Sequence, residues 1–307
     1  MNLQTYNAAR EDRAWRDCSH FGRFVLRGRD APALLHHLTT NSIKSLQPAR
    51  ALEAALLTSK ARLLDWLSIA RVATSGGDEW RVITSPNRRS IFEPHARRFV
   101  LFRQEVSIQD VSHSTQLFAL MGPQVLEGHP AGQVQEVEGG CEWLTSRLPS
   151  GVWQWHDSLE AARPSGVEVD GETFNVLRVE AGIPVAGAEI TEDFNPWEAL
   201  FDNSISLSKG CYNGQEVVAR LHSYAKIKQR LRGLRLPNSL GLAELAGVSL
   251  GCNGKAAGRV TSAVESPRFG PIALAYVRED AFEPGQVLQV LGGEAEAPAL
   301  MSELPFS

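Results

Sequence analysis

The sequence predicts an α+β chain: a mixed body of short helices and strands over residues 1–236, then a β-rich domain over residues 237–307. Three observations carry the prediction. Short apolar runs bounded by Gly and Pro fill the first third, one segment near Leu177 has helical spacing, and the last quarter is a succession of short strands separated by turns.

Taken in order, Pro32 to Leu38 is helix-like, and Ala54 to Leu57 and Leu63 to Ala70 read as strands flanking a turn near Ser59 to Arg62. Gly76 and Gly77 mark a hairpin turn before a strand over Trp80 to Thr84. Ser85 and Pro86 resemble a helix start. The segment they open runs to about Phe102 and carries Arg88, Arg89, Arg97, Arg98 and Arg103, with Pro94 expected to interrupt it. Glu127 to Gly140, rich in Gly and acidic residues, reads as a loop or a variable edge. From Gly171, Phe174, Leu177 and Ala181 fall on one helix face, closed by Gly182 and Pro184. Pro237 to Ala246 reads as a linker. Beyond it Val248 to Leu250, Arg259 to Val264, Ile272 to Val277 and Gln286 to Val290 are the strands of a small barrel or sandwich.

Composition narrows the function classes. With 43% hydrophobic and 21% charged residues and a formal net charge of -4, the chain has the balance of a globular protein. No apolar run approaches the roughly 18 to 20 residues that span a bilayer, and Met1 to Arg10 contain no apolar core of a signal peptide, so no membrane association and a cytoplasmic location are expected. Cys18, Cys141, Cys211 and Cys252 form no C-x-x-C pair, and no His has a second ligand at i+3 or i+4, so no metal site is expected. The absence of a G-x-G-x-x-G turn and of a phosphate loop argues against nicotinamide chemistry and ATP hydrolysis.

One motif concentrates the chemistry: Lys209-Gly210-Cys211-Tyr212-Asn213-Gly214-Gln215-Glu216, followed by Val217, Val218, Ala219 and Arg220. Asn213 and Glu216 stand at the spacing of a capping box for a helix running to about His222. Cys211 then precedes a helix N-terminus, with Lys209 two residues away, and both would favour thiolate over thiol. The plain alternative is a tight glycine turn with Cys211 as a small buried residue.

This motif resembles the signature of the YgfZ family of folate-binding proteins, relatives of the glycine-cleavage T-protein and of a mitochondrial iron-sulfur assembly factor. Asp17-Cys18-Ser19 with Gly22, Leu38-Thr39-Thr40-Asn41, Arg178-Val179-Glu180-Ala181-Gly182-Ile183-Pro184, Gly258-Arg259-Val260-Thr261-Ser262 and Pro271 to Val277 agree in order. The resemblance implies a three-lobed, aminomethyltransferase-like folate-binding body of two intertwined α+β lobes, with a C-terminal β-barrel-like domain. It also implies a tetrahydrofolate cofactor and a role in assembling or repairing iron-sulfur clusters in client proteins, tRNA-thiolating enzymes among them. Cys211 and Lys209 are then the catalytic candidates, and Tyr212, Gln215 and Arg220 join the candidate cofactor contacts.

Two further candidate contacts depart from a transferase pattern. In aminomethyltransferases a strand Asp orients the folate nitrogen. The corresponding position here is Trp66, with Asp65 one residue earlier and therefore on the opposite strand face unless the strand bulges. This argues against a conventional aminomethyltransferase. Trp66 could pack on a pterin or serve as core. Glu180 resembles the family's pterin-facing carboxylate. Arg178 is also a candidate cofactor contact, but it lies roughly 200° away around a helix, so the two face the ligand together only if the helix has ended there; Glu180 is favoured for the ligand and Arg178 for an ion pair.

From Val217 to Ala243 no acidic residue occurs while Arg220, Lys226, Lys228, Arg230, Arg232 and Arg235 accumulate. Such a stretch would suit a polyglutamate tail, a phosphate backbone or an acidic partner, or would be a charged edge strand with a bulge at Gly233. Three readings therefore stand: a folate-binding accessory protein for iron-sulfur clients, a folate-dependent aminomethyl or one-carbon transferase using Asp65, and a non-catalytic tRNA-binding module.

Overall fold

The computed structural model describes residues 1–224, 226–283, 285–291 and 297–307. The first part of the chain runs through α1 (Leu3–Glu11), β1 (Ala14–Asp17), β2 (Phe21–Arg27), α2 (Ala31–Leu38), β3 (Arg50–Leu57), β4 (Leu63–Thr74), β5 (Gly77–Pro86) and α3 (Arg89–Arg97). Next come β6 (Ser107–Asp110), β7 (Gln116–Met121), α4 (Pro123–Leu126), β8 (Val134–Val137), β9 (Gly140–Thr145), β10 (Gly151–His156), β11 (Val167–Glu168) and α5 (Gly171–Glu180). The remainder is α6 (Gln215–Ser223), β12 (Gln229–Arg235), β13 (Ser249–Cys252), β14 (Lys255–Ser266), β15 (Gly270–Arg278), β16 (Val287–Val290) and β17 (Ala297–Ser302).

These strands make three sheets. One has the order β3-β4-β5-β2-β6, a second β11-β1-β7-β10-β9-β8, and the third is a closed barrel, β12-β15-β14-β13-β16-β17. The two open sheets pack face to face through Phe21, Val25, Ala70 and Ile83 against Leu117, Trp143, Trp153 and Trp155. The other face of the first sheet is covered by α2 and α3, through Leu34, Leu35, Leu38 and Phe92. Being buried on both sides, β2 has no in-out alternation. A separate cluster fills the barrel, and a larger one, including Trp66, Phe194, Trp197, Phe201, Tyr212 and Tyr276, lies where β4, α5, α6 and the barrel converge.

The expected mixed fold with a terminal barrel is present, and several local expectations need correction. Ser85 and Pro86 end β5 rather than starting a helix, and α3 begins at Arg89. Pro94 lies inside α3 without interrupting it. The carbonyl it leaves without an N–H partner belongs to exposed Ser90, where water can serve. Of the two readings of the acidic 127–140 stretch, the edge holds rather than the loop alone: it contains β8, the edge strand paired with β9. The barrel takes its first strand, β12, from upstream of the 237–246 segment. β12 lies between β15 and β17, so it is not an edge. Gly233 is not at a bulge: it pairs with Leu274 and Ser302, and a Cβ there would sit 2.6 Å from the Phe306 ring.

Candidate functional site

The Lys209–Gln215 loop crosses the C-terminal end of α2 and the β3–β4 turn, and its polar groups fix it there. Lys209, buried, donates from Nζ to the carbonyl oxygens of His36 (2.6 Å), Thr39 (2.5 Å) and Asn41 (2.7 Å). These are carbonyls at and just beyond the end of α2, which an ammonium is suited to cap. Burial, with Lys44 nearby, lowers the Lys209 pKa to about 7. Asn213 donates its backbone N–H to His37 O (2.9 Å) and its side-chain Nδ2 to Leu57 O (2.7 Å). Gly214 has φ +84°, and a Cβ would lie 2.8 Å from Thr58 O, so both backbone conformation and space require glycine.

The expected capping box does not form. α6 starts at Gln215 with left-handed Gly214 before it, Asn213 is spent on β3, and Glu216 is exposed and only 3.9 Å from Arg220. Gln215 instead reaches back, its Oε1 accepting the Tyr212 N–H at 3.2 Å. Tyr212 is buried, with the Lys209 ammonium 4.8 Å from its ring centroid. Burial pushes its hydroxyl up to about 12. Cys211 alone of the four cysteines is exposed. Burial raises the thiols of Cys18 to about 12 and Cys141 to about 11.

On β4 the two candidates diverge. Trp66 is buried against Phe201, with ring centroids 4.5 Å apart and planes at 25°, and its Nε1 donates to Ser204 Oγ at 2.9 Å. Asp65, also buried, accepts the N–H groups of Ser85 (3.1 Å) and Trp66 (2.7 Å). Burial raises its pKa, and the guanidinium of buried Arg147 opposes the rise. That guanidinium donates to Ile83 O and Ser85 Oγ and lies 5.8 Å from the rings of both Trp66 and Trp153. The β3–β4 ladder does shift register between Leu56 and Leu57, yet Asp65 remains directed at β5 and Arg147.

Glu180 and Arg178 separate as the helix geometry requires, and Arg178, a candidate cofactor contact, does not line the Glu180 cleft. Arg178 pairs with buried Glu189 (3.2 Å) and donates to Ser262 Oγ (2.7 Å), joining α5 to β14. Glu180 accepts Tyr6 OH (2.8 Å) and Ser266 Oγ (2.5 Å) on Oε1, and Arg10 Nη1 (2.6 Å) on Oε2. It lies in a cleft of about 490 Å³ lined by Leu126, Leu148, Leu177, Ile183 and Phe306, in which Arg10 and Glu180 are the only charged lining side chains among the described residues. Sequence reasoning missed Tyr6, Arg10 and Ser266. The i, i+4 placement of Tyr6 and Arg10 was the available signal.

The basic stretch is less free than its sequence suggests. Arg230 faces Asp202 (3.9 Å) and Glu279 (3.4 Å), Arg232 faces Glu279 (3.6 Å), and Arg235 donates to Ser307 O. Acidic partners absent from the local sequence arrive from distant segments. Arg220 is mostly exposed on α6. The loop, the β4 pair and the Glu180 cleft therefore remain three distinct places, joined through one core. No group of three or more His, Cys, Asp or Glu among the described residues is placed to hold a metal. No helix among them is long and apolar enough to cross a membrane.

Two stacked sheets and a closing barrel of this topology define the aminomethyltransferase type of fold. The chain superposes with TM-score 0.83 on the crystal structure of glycine cleavage system aminomethyltransferase T from Bartonella henselae, at 21% identity, covering 99% of this chain and 89% of that one. Residues 2–127 match the GCVT N-terminal domain and residues 229–307 the glycine cleavage T-protein C-terminal barrel domain. The chain belongs to the glycine cleavage T-protein family. Its relatives include an Arabidopsis thaliana protein described as a putative chloroplastic transferase, 32% identical over 94% of this chain and 70% of its own length. An aminomethyltransferase of Saccharopolyspora erythraea is 28% identical, over 98% of this chain and 88% of its own length.

Proposed function

We propose that this chain is a tetrahydrofolate-binding accessory protein of the YgfZ kind, which serves the assembly or repair of iron-sulfur clusters in client proteins, tRNA-modifying enzymes among them, through the thiol of Cys211. One observation carries the reading. In the motif, Lys209, Tyr212, Asn213, Gly214 and Gln215 all have internal tasks, and the Cys211 side chain alone among its nucleophiles is turned to solvent. Such a loop is a rigid mount for a thiol.

The folate half of the proposal rests on the Glu180 cleft, whose volume is in the range of small-molecule sites and whose apolar walls and buried carboxylate suit a pterin. Glu180 would face the ring nitrogens, and the bound folate would supply a one-carbon carrier. The compartment proposed is the cytoplasm.

The rival is aminomethyl transfer, the activity named for several relatives. Against it stand Trp66 in the shared core and Asp65 held by Ser85 and Arg147. Calorimetry with tetrahydrofolate tests the cofactor, and undetectable binding at millimolar ligand refutes that half. In a deletion strain, Cys211→Ala is expected to fold but fail to restore cluster-dependent enzyme activity. Full restoration refutes the thiol's role. Release of methylene-tetrahydrofolate from an aminomethyl donor, abolished by Asp65→Ala, would establish the rival.

A further inference from the structure

We propose that Arg10 occupies the place of the ligand on Glu180, so that α1 sets how tightly the cleft takes a flat 2-amino-4-oxo heterocycle. The inference rests on the folate reading and adds an internal competitor to it. Its basis is the lone-pair inventory of one buried carboxylate. Tyr6 and Ser266 fill both lone pairs of Oε1, and among the described residues Arg10 is the only partner of Oε2. A ligand donating N–H groups to Glu180 can therefore do so only at the oxygen that Arg10 holds. Arg10 donates a single N–H to Oε2 from the cleft wall, and the 2-amino group of such a heterocycle would donate to the same oxygen from the same side, so one can replace the other.

The surroundings make Arg10 the replaceable partner. Tyr6 is buried at 3% exposure, whereas the Arg10 side chain is 28% exposed on the cleft wall. Arg10 makes no side-chain hydrogen bond among the described residues other than that to Glu180. Its only other contact of note is with the Tyr6 ring, 5.7 Å from centroid to guanidinium carbon. Released, it passes into water, so displacement costs only the contact between a partly exposed guanidinium and a buried carboxylate, which the incoming donor replaces.

Isothermal titration of the full chain with tetrahydrofolate, and separately with unsubstituted pterin, tests this. Arg10→Ala and the longer Arg10→Gln are both expected to bind either probe about five- to tenfold more tightly than the unaltered protein. Arg10→Lys restores most of the competition. Binding by the two neutral variants alone also supports the proposal. Equal or weaker binding by both neutral variants overturns the role of Arg10 and leaves the folate reading standing. No binding by any form overturns the folate reading and the competitor with it.

Discussion

Replacing Lys209 by Met decides whether the motif lysine serves the fold or the thiol. Below its pKa of about 7 the Lys209 ammonium satisfies three carbonyl oxygens at the end of α2, and at such a pH a thioether of similar length would leave all three without their donor in a buried setting. A charged hydrogen bond contributes about 1.5–3 kcal/mol and the bonds share one donor, so the expected loss is about 3–5 kcal/mol. With 307 residues at about 2.1 cal/mol/K each, that corresponds to a fall in Tm of about 5–8 °C. Differential scanning calorimetry of Lys209→Met beside Cys211→Ser supplies the comparison, the second variant being expected within about 0.5 kcal/mol of the unaltered protein because Cys211 is exposed. The rate of Cys211 alkylation by iodoacetamide, followed under conditions where Lys209→Met stays folded, is expected to be unchanged. A stable Lys209→Met protein with slower alkylation would refute the argument and return the ammonium to the thiol.

Other substitutions follow from the same geometry. Gly214→Ala places a Cβ at φ +84° and 2.8 Å from Thr58 O, and is expected to cost about 2–3 kcal/mol in urea unfolding; an unchanged midpoint refutes the close approach. Burial, then Lys209 and Lys44, lowers the His36 pKa from 6.5 to about 4. The unfolded chain therefore takes up this proton first: stability from His36 is complete above pH 6.5 and up to about 3 kcal/mol is lost as pH falls through 4, a slope that His36→Gln should flatten in acid titrations of stability. Trp66→Ala should cost about 3–5 kcal/mol in the same urea assay, since it empties a slot between Phe201 and Arg147, whereas a change below 1 kcal/mol would mean that the indole borders an open cavity.

The parts of the fold legible in the sequence are those whose local pattern and tertiary environment agree. α2, α5, the β3–β4 hairpin and β14 and β15 each have an apolar period matching the face they bury. α1 escaped notice because only Thr5, Tyr6 and Ala9 are buried, too few for a visible stripe. β12 alternates Arg with Leu, which reads as a charged edge, and only its pairing with both β15 and β17 shows that the arginines face the barrel's exterior acids. At the site, the separation of Asp65 from Trp66 and of Arg178 from Glu180 followed from strand and helix periods alone. The task of Lys209 did not, because its partners His36, Thr39 and Asn41 lie about 170 residues earlier.

Glu180 also has a history during synthesis. Its carboxylate joins Tyr6, made 174 residues before it, to Ser266, made 86 residues after it, and its carbonyl accepts the N–H of Phe306. At about 5–20 residues per second, α1 waits roughly 10–35 s for α5 to emerge, and the pair waits again for the barrel. Through that interval the Tyr6 hydroxyl lacks the carboxylate to which it donates. Closure of this cleft therefore belongs among the last events of folding, and substitutions there should slow maturation of the nascent chain as well as loosen the finished protein.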